Sequence, residues 1–378
     1  MRVNRVKRLV YIALLLLVAL CAPLAQAFDS AWTQKAVVTL DATYIDEAPV
    51  IVPIYLSGFD STWWSVVQAD GDDIRVTEDD ETTERDYVLW KIDTGTSTGL
   101  IVVNVDGYAS ASVDVDLVVF AGNAGASAGS TTDTFSSTGY VGVYAPGVST
   151  TDYSGNGRTL TAVNSPGTAA VSALEMDAAT YDGSTSYHKY EGTLGVTNWP
   201  ITIEALANST DTANNQSVVT ISAGSTINDF AQIRFRGNVA NDPVGAYFIG
   251  ASGSSSAPNA TAVPGYSSGV YNYSVAARTA NTGTSYSYVN GANQGTNATT
   301  LATPTAFDEL AIGAIVPLTS TKLTGSVVFI ALSDSVRSAN YVATMYDAWN
   351  TSAFRTYGAT ASNGGATGHP WFYWRYRA

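Results

Sequence analysis

Retaining hydrolysis of a glycosidic bond needs two carboxyl groups about 5–5.5 Å apart. On a β-strand that favours acidic residues at i and i+2 or i+4, which share a face. Glu175 and Asp177 have that parity, but Ala178-Ala179-Thr180 brings no further acid, and the pair reads as exposed acids at a strand end. Asp308 and Glu309 are adjacent and face opposite ways. A Ser-His-Asp relay could draw only on His188 and His369, and neither accompanies a G-x-S-x-G elbow. His188 follows an Asp-Gly turn in Tyr187-His188-Lys189-Tyr190 and is expected on an exposed strand face. Metal binding by imidazole and thiolate lacks ligands. Hard oxygens remain. Asp70, Asp72 and Asp73 share a turn, with Glu78, Asp79, Asp80 and Glu81 nearby, and are the candidate calcium ligands. Their spacing is not the twelve-position EF-hand loop. The competing reading is a solvated turn in which Asp side chains accept from backbone N–H groups. Asp152 and Asn156, in Asp152-Tyr153-Ser154-Gly155-Asn156-Gly157, are open to the same two readings.

Strands must hold any such site. Gly, Ser, Thr, Ala, Asn, Val and Tyr dominate in short apolar runs separated by turn residues, an all-β composition. No 3.6-residue periodicity precedes residues 339–349. Arg2, Arg5, Lys7 and Arg8 precede an apolar run of 12 residues, Leu9 to Leu20, and then Ala25-Gln26-Ala27. This is the pattern of a secretory signal cleaved before Phe28. A membrane span needs roughly 20 apolar residues, and Pro23 and Gln26 end the run early. Leu20 is too bulky for a lipobox before Cys21. A secreted, periplasmic or cell-surface location is therefore expected. Cleavage removes the only cysteine, and with it disulfides, thiol nucleophiles and thiolate metal sites. It also removes four basic residues and no acidic one, taking the net charge from −14 to −18. Such a surface repels nucleic acid and anionic lipid.

The 351 residues from Phe28 onward suit two domains. The first, residues 28–130, shows strand-like stretches at 35–40, 50–56, 73–76, 87–92, 100–105 and 113–120. In the last, Val113, Val115 and Leu117 alternate with Asp114 and Asp116. The Gly/Ala/Ser-rich segment 122–130 reads as a linker. The second domain, residues 131–360, repeats strand-like pieces about every ten residues, which predicts two packed antiparallel sheets. Val289-Asn290-Gly291-Ala292 predicts a hairpin, because Asn-Gly accepts the positive φ of a tight primed turn.

Several motifs fall in a familiar order. Tyr140-Val141-Gly142-Val143-Tyr144, Asp152 to Gly157 and Tyr181-Asp182-Gly183-Ser184 come first. Tyr271 to Ala276, Ser287-Tyr288-Val289-Asn290-Gly291, Leu310-Ala311-Ile312-Gly313 and Leu323-Thr324-Gly325-Ser326-Val327 follow. Together they resemble the laminin-G-like, concanavalin-A-like jelly rolls of the lectin-glucanase type. The first region, with Ala69-Asp70-Gly71-Asp72-Asp73-Ile74-Arg75-Val76, resembles a secreted β domain, domain-of-unknown-function family 2341, that often precedes such jelly rolls. The pair of resemblances implies a β-sandwich-like domain followed by a jelly roll, in an extracellular or surface binding or adhesion protein whose sandwich binds carbohydrate, a polysaccharide or glycoconjugate, or protein. It implies no defined ligand. The hydrolases of this fold carry a Glu-x-Asp-x-x-Glu or similar strand, which is missing, so a non-catalytic role is expected. The family commonly has an acidic residue in the strand after Gly325, where Ser326-Val327-Val328-Phe329-Ile330 carries none, and Tyr144-Ala145 stands in place of a Trp-His pair.

Two competing readings stay open. One is a structural appendage or virion-type protein in which the sandwich mediates assembly; the other is a glycan-cleaving enzyme. The tail Trp371-Phe372-Tyr373-Trp374-Arg375-Tyr376-Arg377 lies outside the resemblance. Seven consecutive aromatic or basic residues are hard to keep exposed on a monomer, and they are expected to dock on the chain's own surface or on a protein partner. Removing residues 364–378 should leave both β regions folded. Internal docking predicts a lower melting temperature, and partner docking predicts lost surface retention or oligomerisation. A truncated protein unchanged in all three has no docking tail.

Overall fold

The computed structural model describes residues 30–224, 229–258, 265–315 and 321–363. The signal, His369 and the aromatic tail lie outside the described residues. The N-terminal region contains β1 (Gln34–Leu40), β2 (Ile51–Tyr55), the one-turn helix α1 (Ser61–Trp64), β3 (Arg75–Glu78), β4 (Tyr87–Asp93), β5 (Thr98–Asn104) and β6 (Val115–Ala121). The second region begins with β7 (Tyr140–Tyr144), β8 (Thr161–Val163), β9 (Gly167–Val171), β10 (Met176–Asp182), β11 (Tyr187–Glu191), β12 (Ile201–Ser209), β13 (Asn215–Ser222) and β14 (Phe230–Arg236). It continues with β15 (Val244–Ile249), β16 (Ser255–Ser256), β17 (Asn272–Arg278), β18 (Ser285–Val289), β19 (Ala292–Asn297), β20 (Glu309–Ile312) and β21 (Thr324–Ser333). Helix α2 (Ala339–Asn350), β22 (Arg355–Tyr357) and β23 (Ala361–Ser362) close the chain. The protein is all-β in architecture, with an N-terminal sandwich followed by a jelly-roll sandwich, as the composition and strand spacing and then the resemblance imply.

The strands form four sheets. A five-stranded sheet, β22-β1-β6-β3 with β23 beside β1, packs on the three-stranded sheet β2-β5-β4. An eight-stranded sheet, β19-β18-β17-β12-β21-β10-β9 with β7 on β21, faces the seven-stranded sheet β16-β15-β14-β13-β20-β11-β8. Period-two alternation decides which way each side chain points. In β5, Ile101 and Val103 enter the N-terminal core, while Leu100 and Val102 point the other way, into a second core. In β12, Ile201, Ile203 and Ala205 fill the space between the two large sheets, and Leu206 points into that second core. The three-stranded and eight-stranded sheets thus meet face to face, with α2 in the seam. Trp90 stacks on Trp349 of α2 at 6.0 Å, and Phe329 lies 5.3 Å from Trp349.

Two expectations change. Residues 122–130 are fastened rather than slack: Gly122 N donates to Asp73 Oδ2 at 2.6 Å, and Arg75 Nη2 donates to the Ser127 carbonyl at 2.7 Å. The segment after β21 also leaves the jelly roll, since β22 and β23 both pair antiparallel with β1 of the N-terminal sheet.

One polar group sits inside the seam. Glu204 of β12 is 1 % exposed. Tyr140 Oη donates to its Oε1 at 3.2 Å, and Tyr273 Oη bonds its Oε2. Tyr140 and Tyr341 share a hydrogen bond, and the Arg337 guanidinium lies over both rings, 4.6 and 4.7 Å from their centroids. Burial pushes the Glu204 carboxyl up, and Arg337 opposes that shift. Glu204→Ala is expected to cost about 2–3 kcal/mol, because it removes the buried acceptor of the Tyr140 and Tyr273 hydroxyls. Urea unfolding checks this; a loss below about 1 kcal/mol would show that the network does not hold the seam.

Candidate functional site

Covering the eight-stranded sheet on both faces leaves the seven-stranded sheet as the jelly-roll face turned away from all other layers. Its residues follow from register. In β14, Ala231, Ile233 and Phe235 face the core, so Phe230, Gln232, Arg234 and Arg236 face out. Gln232 is opposite Tyr247 on β15 and Thr220 on β13. Thr220 is opposite Ala311 on β20, and Ala311 is opposite Lys189 on β11. The result is a transverse row, Tyr247-Gln232-Thr220-Ala311-Lys189. A parallel row runs Ile249-Phe230-Ser222-Glu309-Glu191. On the other side of the first row, Arg234 is opposite Ser217, and Arg236 is opposite Asn215.

Gln232, Thr220 and Ala311 are each 1 % exposed, so the middle of the row is covered and little of it meets solvent. Arg234 lies over the Tyr247 ring, 4.2 Å from its centroid, and Phe230 flanks Tyr247 at 5.5 Å. Lys189 Nζ pairs with Glu191 Oε1 at 2.6 Å. Burial, and then the charge of Glu191, push the Glu309 carboxyl up. Burial, and then Arg236, hold Arg234 down to about 10. What this face presents is therefore the half-buried Tyr247 ring and the half-buried Arg234 and Arg236, with the Lys189–Glu191 pair at the far end.

The residues singled out from sequence lie elsewhere. Asp73 is fully buried and accepts Gln68 N at 2.9 Å and Gly122 N at 2.6 Å, one on each carboxyl oxygen. Asp70 Oδ1 accepts Asp72 N at 3.2 Å. Asp70, Asp72 and Asp73 do not converge, and among the described residues no group of three or more His, Cys, Asp or Glu side chains is arranged to hold a metal ion. Asp152 accepts Val143 N, Ser154 N and Arg158 N, and so fastens its turn. Glu175 and Asp177 are not free acids at a strand end. Glu175 accepts Ser57 N and Gly99 N at 3.1 and 2.8 Å, and Asp177 pairs with Lys91 at 2.7 Å, so both clamp the jelly roll to the N-terminal region. His188 is not on the exposed face. It is 5 % exposed, points into the core and bonds Tyr181 Oη through Nδ1 at 3.0 Å. The strand phase set by Tyr190, which packs on the core, puts His188 there. A concavity of about 240 Å³ opens beside α2, walled by Tyr271, Tyr273, Tyr346, Trp349 and Leu174.

Sequence reading placed strands over β13, β14 and β20 but did not name Gln232, Arg234, Arg236 or Tyr247. The alternation in Phe230-Ala231-Gln232-Ile233-Arg234-Phe235-Arg236 carries the signal. Which residues stand opposite them depends on register.

No family model matches the chain, and no curated protein matches its sequence. The laminin-G and domain-of-unknown-function 2341 resemblances thus gain no support from a family match. Among solved structures, domain 4 of AbnA, an extracellular GH43 arabinanase from Geobacillus stearothermophilus in complex with arabinotriose, is similar at 12% identity and a TM-score of 0.44. That match covers 56% of this chain and 98% of the arabinanase domain. The botulinum neurotoxin serotype G binding domain is similar at 12% identity and a TM-score of 0.41, over 52% of this chain and 47% of that one, so the chain spans about half of the toxin structure's length. The Ruminococcus gnavus IT-sialidase CBM40 is similar at 14% identity and a TM-score of 0.35, over 45% and 96% of the two chains. Likenesses this distant say nothing of what this chain binds.

Burial of neutral His188 has a pH signature. Its folded pKa is held down to about 4 by burial, below the ordinary 6.5. Between those values the unfolded chain binds more protons, so this contribution is complete above pH 6.5 and is lost as pH falls. Between pH 6.5 and pH 5 the wild type should lose up to about 2 kcal/mol that His188→Gln retains. Urea titrations at the two pH values check this; parallel losses in both proteins overturn it.

Proposed function

We propose that this chain is a secreted or surface-exposed binding protein that recognises glycan through the outer face of the seven-stranded sheet, without catalysis. The outward strip that opens at Tyr247 carries this reading: a half-buried aromatic ring beside the donors of Arg234 and Arg236 suits the apolar faces and polar edges of sugar rings. The signal pattern before Phe28 supports export. A glycan array probed with residues 28–378, with and without calcium, should give discrete hits. Tyr247→Ala removes the ring from an outward-facing position and should weaken those hits at least tenfold in a protein that circular dichroism shows to be folded. Hits that survive Tyr247→Ala place the site elsewhere, and an array with no hits overturns the glycan reading.

One observation favours a second reading. Glu191 and Glu309 are register partners on this face, a buried carboxyl pushed up beside an exposed one, and such pairs serve glycosidases. The non-catalytic reading expects no reducing sugar released from array hits. Release abolished by Glu309→Gln would make the chain an enzyme.

A further inference from the structure

Eight arginines lie among the described residues, and six of them have visible partners. Arg75 donates to the Asp72, Ile74 and Ser127 carbonyls. Arg85 pairs with Glu78. Arg158 donates to the Val141 and Thr193 carbonyls, and Arg278 to Ser285 Oγ and the Asn281 and Thr299 carbonyls. Arg337 donates to the Thr138 carbonyl and Ser333 Oγ, and Arg355 to the Ala348 carbonyl. Arg234 and Arg236 are the exceptions. Neither forms an ion pair or donates a hydrogen bond to a described residue, and the Nε of each is buried without a partner. They are two residues apart on β14, on the same outer face, and their register partners on β13, Ser217 and Asn215, carry no charge. Gln232, between them and Phe230 on the same face, is 1 % exposed, so its unpartnered Nε2 is closed to solvent. Tyr247 holds the Arg234 guanidinium from the β15 side through its ring.

A guanidinium offers five donors in a planar fork that matches an oxyanion. Two half-buried guanidinium groups on one strand face, each with its Nε out of reach of solvent and with no carboxylate partner among the described residues, leave this corner of the protein short of an anion. The rest of the chain is strongly acidic. The Debye length is about 8 Å at physiological ionic strength, so the local pair, and not the distant net charge, sets the potential at the face.

We propose that Arg234 and Arg236 form an anion-binding subsite for an acidic sugar, one carrying a carboxylate or a sulfate. The proposal deepens the reading that the seven-stranded face binds glycan and rests on it. The oxyanion lies against the two guanidinium groups, and the sugar ring lies along the face beside Tyr247. Lys189, at the other end of the row, is already neutralised by Glu191, which polarises the face: the acidic end of the ligand belongs at β14.

Calorimetry on residues 28–378 tests this with four probes: a galacturonate trisaccharide, a sulfated galactose disaccharide, neutral galactotriose and a short single-stranded oligonucleotide. The expected result is binding of one acidic sugar at least tenfold tighter than galactotriose, with the carboxylated and sulfated probes telling the two sources apart. Arg234→Gln with Arg236→Gln should remove that preference, and Arg234→Lys with Arg236→Lys should restore part of it. Lys35→Gln, a charge change on the five-stranded sheet, should leave it intact. Circular dichroism and melting temperature establish that each variant is folded; if the double glutamine variant is not, each single variant should lose part of the preference. Oligonucleotide binding as tight as the acidic sugar would reduce the subsite to unspecific charge and overturn the proposal. Galactotriose bound as tightly as the acidic sugars, and equally by the double variant, overturns the acidic subsite while glycan binding stands. No binding of any sugar sinks both.

Discussion

The structure depends on the eight-stranded sheet being buried on both of its faces. A jelly roll normally needs only its inner faces covered; here the outer face of one sheet is apolar as well, with Leu206, Val275, Val328 and Phe329 pointing away from the sandwich core. Such a face cannot remain in water. The three-stranded sheet and α2 cover it, and the three-stranded sheet becomes two-faced in its turn. Hydrophobic burial therefore runs through four layers. The two regions are one mechanical body, and the freedom to bind is left to the outermost sheets.

Polar chemistry is distributed by the same rule. Inside the seam, the Glu204 carboxyl, three tyrosines and Arg337 satisfy one another. At the region boundary, Glu175 and Asp177 accept from Ser57, Gly99 and Lys91. Turns use Asp182, which accepts from Ser184, Thr185 and Ser186 N and whose carboxyl is held far below the usual range by those bonds. Carboxylates that the sequence offers as chemistry thus serve as fasteners, while Arg234 and Arg236 on the seven-stranded sheet have no carboxylate partner among the described residues.

The fold class was legible because alternation and turn chemistry are local. The strands at β12, β17 and β21, the Asn290-Gly291 hairpin and the order of the jelly-roll motifs all follow from short windows of sequence. The use of each acid was not, because Asp177 meets Lys91 across 86 positions and Asp73 meets Gly122 across 49. His188 was misplaced by one strand phase: the turn before β11 was recognised, but which of two alternating faces is buried depends on β20, more than a hundred residues later. The β14 arginines alternate with apolar residues in Phe230 to Arg236, yet their lack of partners is a property of registers that no window contains. Residues 122–130 look like a linker by composition, although backbone carbonyls and N–H groups fasten them as firmly as side chains could.

The return of β22 and β23 to β1 orders events in time. Val38 pairs with Tyr357 and Gln34 with Ser362, so the first strand of the chain waits for the last. During synthesis from the N-terminus, the edge of β1 opposite β6 stays unpaired until more than three hundred further residues have appeared. Contacts this distant in sequence form late and slowly. The N-terminal sheet therefore keeps one open edge until β22 and β23 have been made, and only then does β1 gain its second neighbour.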